Sequence, residues 1–329
     1  MSSEFGRTNF PDERLATLAA LLNGDVTLAY RIATELLSQG VPFDDIVVDV
    51  LGPVQTEVGQ RWADGDLSIA DEHAASAAVE ELVVRIGAIA QAPSGPTVVV
   101  AAAEHDAHAL GARVVATSLA LEGFRTLFIG ASVPAEDLQD YLELHQPLAL
   151  ALSCSMSSAL VGSARCIAAA HQIGIPVVGG GRAIASEQRA RRLGIDALAL
   201  VPHDAVDRLR AWEIASPQHL ASVPAPVPEH QALADRSQRM IASVLEKVAT
   251  GLAKPSDLGE ELARVLQVIE ATLLLDEPGL IGEHLRWLRD TGPAHGVPRP
   301  TVDAALIVLA TTMDDDLHRA SAALRAEMH

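Results

Sequence analysis

Between Thr97 and about Trp212 the chain alternates short, largely apolar runs with amphipathic ones, and no other feature restricts its fold as much. Residues 97–103, 125–129, 148–152, 175–178 and 196–201 read as five strands. A helix over 110–122, another after Pro134 and others between the later strands separate them. A strand apolar on both faces must be covered on both, so the pattern predicts a parallel sheet between two helical layers. Five strands with their helices match a doubly wound, flavodoxin-like or Rossmann-like α/β domain over 96–213.

The flanking regions are helical by pattern. From Asp12 to about Gln91, breaks at Asn23-Gly24-Asp25, Gln39-Gly40-Val41-Pro42 and Asp64-Gly65-Asp66 divide the chain into four helices. These predict an antiparallel four-helix bundle over 12–92. Pro93-Ser94-Gly95-Pro96 reads as a linker, and 216–228, with four prolines, as a second, extended one. Helices are predicted over 231–252, 255–275, 278–289 and 300–327, enough for a separate all-α unit of four helices over 229–329.

Charge narrows the function classes. The 24 basic and 43 acidic side chains give −19 at neutral pH. That argues against nucleic acid and against anionic membrane surfaces. The two cysteines, Cys154 and Cys166, exclude a disulfide framework and a Cys-rich zinc site and point to a reducing, cytoplasmic setting. Residues 1–11 lack the apolar core of a signal peptide, and no apolar run approaches membrane-span length.

In an open parallel sheet, ligands sit at the carboxyl ends of the strands. Three segments meet that edge: Glu104 to Gly111 after the first strand, Ser153-Cys154-Ser155 after the third, and Gly179-Gly180-Gly181 after the fourth. They suit a large metal macrocycle with a tail. A neutral His108 can ligate cobalt while Asp106 takes its other N–H. Gly111 lets the loop turn beside a bulky ring, Ser153 and Ser155 place small hydroxyls at the throat, and the glycines let the backbone approach a tail. A small metal site of Glu104, His105 and His108 is the weaker alternative. Phosphate-loop and dinucleotide fingerprints are absent.

The order Asp106-x-His108-x-x-Gly111, Ser153-x-Ser155, Gly179-Gly180 resembles the cobalamin-binding signature D-x-H-x-x-G…S-x-L/T…G-G. Ser155 stands where that family more often has Leu or Thr. The resemblance implies base-off binding, with the dimethylbenzimidazole tail in the sheet crevice and His108 as the lower cobalt ligand. Trp62, nine residues and then Glu72-His73 resemble the CarH-type adenosylcobalamin light sensors. There the Trp lies over the adenosyl group, and the Glu and His line the same pocket. Ala63 stands where those sensors carry a second cobalt ligand, so any light-state ligand must come from elsewhere, such as His73. The acidic charge and the start close to the bundle imply no direct DNA binding.

The C-terminal region adds Glu283-His284-Leu285-Arg286-Trp287-Leu288-Arg289 and His295. Arg can pair with propionates, and His and Trp can flank a tetrapyrrole. The arrangement resembles the helical, globin-like extension of the photocobilins, which hold adenosylcobalamin together with biliverdin. It implies a non-covalent bilin near His284, Arg286, Trp287 and Arg289, because no Cys lies in this region. The resulting expectation is a photoreceptor without enzymatic activity, acting through a homo-oligomer such as a dimer or an unidentified effector. A corrinoid carrier for a methyltransferase is the rival, and a mutase subunit is a third reading that fails because about 100 helical residues cannot form the substrate barrel a mutase needs.

Overall fold

The computed structural model describes residues 10–217, 219–225, 228–248, 255–313 and 317–328. The N-terminal region holds α1 (Pro11–Leu22), α2 (Val26–Ser38), α3 (Phe43–Ile46), α4 (Gly52–Ala63) and α5 (Ile69–Gly87). A π-helical turn, Val47–Leu51, joins α3 and α4 into one continuous rod. Pro53 explains the altered pitch. An α-helix would need its N–H for the Asp49 carbonyl, and Pro has none. Arg14 of α1 donates its Nε to that carbonyl instead. Asp25 caps α2 by accepting the Leu28 N–H, and Ser68 with Asp71 forms a reciprocal capping box on α5.

The sheet contains β1 (Thr97–Ala102), β2 (Arg125–Gly130), β3 (Ala149–Ser153), β4 (Val177–Gly180) and β5 (Ala197–Ala199). All neighbours are parallel, in the order β2-β1-β3-β4-β5. The sequence-predicted doubly wound architecture therefore holds. Alternate strand residues serve opposite layers. Val98, Val100, Ala149 and Ala151 pack under α6 (Leu110–Leu121) and α10 (Pro202–Ile214). Val99, Ala101, Leu150 and Leu152 pack under α7 (Ala135–His145), α8 (Leu160–Gln172) and α9 (Glu187–Leu193). Helix α5 lies against α6, which attaches the bundle to the first layer.

The C-terminal region differs from its sequence expectation in three ways. Among the described residues it has five α-helices: α11 (Pro228–Val248), α12 (Pro255–Leu275), α13 (Gly279–Thr291), α14 (Arg299–Met313) and α15 (His318–Ala326). The single helix predicted over 300–327 is thus two. The run Asp314-Asp315-Asp316, a string of like charges with poor helix propensity, separates them in sequence. The predicted end of the 231–252 helix lies outside the described residues.

Second, these helices pack on one another and also share one continuous core with the α7–α9 layer, so they do not form a separate unit. Helix α12 runs against α8, α9 and the 3-10 turn Ser157–Ala159. Third, the segment before α11 is laid onto the sheet domain. The Ala221 N–H donates to Asp196 at 2.7 Å, and Val223 packs on the shared core.

Polar contacts reinforce the junction. Arg189 of α9 is 7% exposed, pairs with Glu277 at 2.5 Å and donates to the Ala183 carbonyl at 2.8 Å. Arg192 reaches the Leu275 and Asp276 carbonyls at the end of α12. Removing one member of a buried pair strands its partner. Arg189→Ala is expected to cost about 2–4 kcal/mol of unfolding free energy in urea melts, with the C-terminal helices loosening in hydrogen exchange. A loss below about 0.5 kcal/mol, within the range of ordinary surface changes, would contradict a structural junction there.

Candidate functional site at the carboxyl edge of the sheet

The loop after β1 is organised by Asp106. Its carboxylate is fully buried. Oδ1 accepts the His108 backbone N–H at 3.0 Å and His108 Nδ1 at 2.8 Å. Oδ2 accepts the Ser155 N–H, from the loop after β3, at 2.5 Å. Burial pushes the Asp106 pKa up. The bonds from the His108 ring, the Ser155 N–H and the His108 N–H outweigh it and hold the group below the ordinary carboxylate value. An ionised carboxylate can only accept, so His108 carries its proton on Nδ1. In the neutral ring that arrangement leaves the lone pair on Nε2, on a side chain 57% exposed. That is the tautomer a metal-ligating imidazole needs.

Beside this imidazole, a crevice of about 210 Å³ opens between the sheet and α6. Val47, Val100, Gly111, Ser153, Gly179 and Gly180 are among its lining residues. Its walls are almost wholly apolar, as a flat aromatic tail requires. A Cβ at Gly111 would stand 2.8 Å from Ser153 Oγ, so the glycine keeps helix and strand close.

The placement of Gly179 and Gly180 needs correcting. Both lie within β4 and not after it. A Cβ on Gly179 would meet Ile195 at 2.5 Å, and one on Gly180 would meet the Ala199 carbonyl at 2.1 Å. Their missing side chains thus make room for the protein's own packing, while their backbones line the crevice. Ser155 acts here through its backbone N–H.

The alternative metal site does not form. Glu104 turns inward to Arg165 at 3.2 Å, and His105, at φ +66°, gives its N–H to Ser132. Among the described residues no group of three or more His, Cys, Asp or Glu is placed to hold an ion. Burial pushes the thiols of Cys154 and Cys166 up to about 12 and 11, which makes both inert as nucleophiles. A larger, shallow hollow of about 560 Å³ follows α4 past Gly52, Thr56 and Gln60, and it gathers none of the sequence-predicted residues.

In the bundle, Glu72 accepts His73 Nδ1 at 2.5 Å and the Ser76 hydroxyl at 2.7 Å. Gln55 of α4 in turn donates to Ser76. Gln55 and Ser76 carry no motif of their own, so sequence reasoning missed this chain. Val47, which reaches the crevice from the π turn, was missed for the same reason. Trp62 stacks on His295, with centroids 4.4 Å apart and planes 23° apart, and lies 6.3 Å from Trp287. His284 lies 5.8 Å from Trp287.

Burial, aided by the Arg264 charge, pushes the His284 pKa down to about 4, so the ring is neutral at physiological pH. Arg289 is tied to Asp303 at 3.0 Å, which engages a residue expected to face a bilin, and Arg286 is exposed. The structure thus brings Trp287 and His295 to Trp62, with His284 beyond Trp287, while Arg289 is engaged elsewhere.

Residues 96–208 match the family described as B12 binding domain, and residues 15–86 match a second family of the same description. The chain carries a cobalamin-binding region. The trimethylamine corrinoid protein of Methanosarcina barkeri is 25% identical over 202 residues, 58% of this chain and 92% of that one. The HTH-type transcriptional repressor CarH of Myxococcus xanthus is 29% identical over 193 residues, 57% of this chain and 63% of that one. The solved monomethylamine corrinoid protein of Methanosarcina barkeri aligns with a TM-score of 0.49 at 22% identity, over 60% of this chain and 96% of that one. No described helix is long and apolar enough to cross a membrane.

The residues fit a cobalamin bound with its own base displaced. His108 would hold the cobalt from below, and Gly111, Ser153, Gly179 and Gly180 would border the tail. Asp106→Ala removes the acceptor that orients His108. Cobalamin affinity, followed by spectral titration, is expected to fall about 10- to 100-fold, as for other partners of metal ligands. Unchanged affinity would show that Asp106 does not orient the ligand.

Proposed function

We propose that the protein is a light sensor that binds adenosylcobalamin, with His108 below the cobalt and the helical bundle above it, and that it has no catalytic activity of its own. The observation that carries the cobalamin half is the Asp106–His108 pair, which leaves Nε2 free next to an apolar crevice. The sensing half rests on Trp62, Glu72 and His73, on their resemblance to CarH-type sensors, and on the similarity to a protein named CarH. Bound adenosylcobalamin supplies a weak cobalt–carbon bond that visible light breaks.

The chain's residues supply the rest. Trp62 offers a flat apolar face and no metal-ligating group. Glu72 fixes the His73 ring through Nδ1, so a free Nε2 is available above the ring where Ala63 offers nothing. Changed contacts at Trp62 would shift the bundle relative to the sheet domain, a two-state response biased by one ligand. Output would pass by association with a second copy as a dimer, or with an effector protein, in the cytoplasm. Biliverdin, held non-covalently near His284 and Trp287, would widen the spectral range. Arg286 is the cation available to its propionates, since Arg289 is engaged by Asp303.

A second reading has support of its own. Trimethylamine corrinoid proteins are relatives over the same region, which favours a corrinoid methyl carrier. A carrier must open its upper face to partner enzymes, whereas here Trp62 is covered by rings of the C-terminal helices and must first part from them.

Illumination of the adenosylcobalamin-loaded protein separates the two. A lasting change in the visible spectrum, with altered elution on size exclusion, is expected of the sensor. An unchanged spectrum and elution after strong light would refute it, and alkylation of the bound corrinoid by methyl donors would favour the carrier.

A further inference from the structure

The rod formed by α3, the π turn and α4 touches two distant parts of the molecule. Val47 lines the crevice at one end. Trp62 stacks on His295 and Trp287 at the other. The two residues are separated by roughly 22 Å along the helix, given 1.5 Å per residue. Near its start Asp44 of α3 lies 3.8 Å from His203 of α10, so the rod is fastened to the sheet domain there, and its far contact is with the C-terminal helices.

That far contact consists of ring faces. Trp62 Nε1, His284 Nε2 and His295 Nε2 are all buried and make no hydrogen bond. Three buried, unpartnered ring nitrogens in one cluster mean that nothing polar locks the rings together. Stacking alone is worth little and separates readily. The neighbouring backbone is closely fitted too. A Cβ on Gly65, at φ +83°, would come 3.2 Å from the Ala294 side chain. The turn between α4 and α5 thus abuts the 3-10 turn Gly292–His295.

We infer that His295 and Trp287 determine which upper ligand the protein accepts, by competing with that ligand for the face of Trp62. This rests on the proposed site, with His108 below the cobalt and Trp62 above. A purine-bearing upper group needs the Trp62 ring and must draw it from His295. A methyl group is small enough to leave the stack intact. The C-terminal helices therefore set a threshold that a bulky upper ligand crosses and a small one never meets. Crossing it unfastens one end of the rod, which gives those helices a direct report of what occupies the upper face.

The test is a pair of dark titrations, with adenosylcobalamin and with methylcobalamin, on the full chain and on His295→Ala, Trp287→Leu and His295→Phe. Loss of the stack in the Ala and Leu variants is expected to shift the affinity ratio toward adenosylcobalamin by roughly three- to tenfold. His295→Phe, which can still stack, is expected to stay within about twofold of the parent ratio. If His295→Ala binds neither ligand, Trp287→Leu decides. An unchanged ratio in the decisive variant, or one moving toward methylcobalamin, overturns the inference. If the unaltered chain binds neither cobalamin, or if His108→Ala binds both as tightly as the parent, the site reading itself has failed.

Discussion

Asp106 is a carboxylate removed entirely from water, and such a group stays ionised only when donors surround it. Its three donors come from two different loops, so the same charge that fixes the His108 ring also pins the turn after β1 to the turn after β3. The two strands are neighbours in the sheet, which brings their ends within reach of one carboxylate. The crevice opens beside that knot, and its apolar walls are the strand ends on one side and α6 on the other. Ligand nitrogen, tautomer and tail slot thus derive from one buried charge at the end of a parallel sheet.

The wider architecture places covers around this edge. The bundle leans on α6, and the C-terminal helices merge with the α8 and α9 layer through a common core. The two covers are attached to opposite faces of the sheet and meet at Trp62. Buried side chains at the α9–α12 junction make one attachment firm, whereas the Trp62 contact is built of stacked rings. A molecule fastened firmly at one place and loosely at another has a natural site for movement.

Much of this was legible in the sequence. Strands apolar on both faces dictated a covered parallel sheet. Asp106 two residues before His108 anticipated the ring orientation, because that spacing brings carboxylate and imidazole together in a tight loop. Other features were not. Gly179 and Gly180 read as close approach to a ligand, and their backbones line the crevice, but Ile195 and Ala199 also need the room, on a later segment that only the fold brings alongside. The apolar stripe of α12 shows that it is buried but not against what, so its union with the sheet domain was hidden. Trp62 and His295 lie at opposite ends of the chain, and no local pattern links them.

The central claim is that a protein imidazole, and not the cofactor's own base, lies beneath the cobalt. Reduced, paramagnetic cobalamin bound to uniformly ¹⁵N-labelled protein tests it by electron paramagnetic resonance. A lower ligand from His108 predicts that each cobalt line splits into a doublet, from one ¹⁵N nucleus, and that His108→Ala abolishes it. A triplet from the cofactor's unlabelled nitrogen, persisting in the labelled protein, would contradict the account.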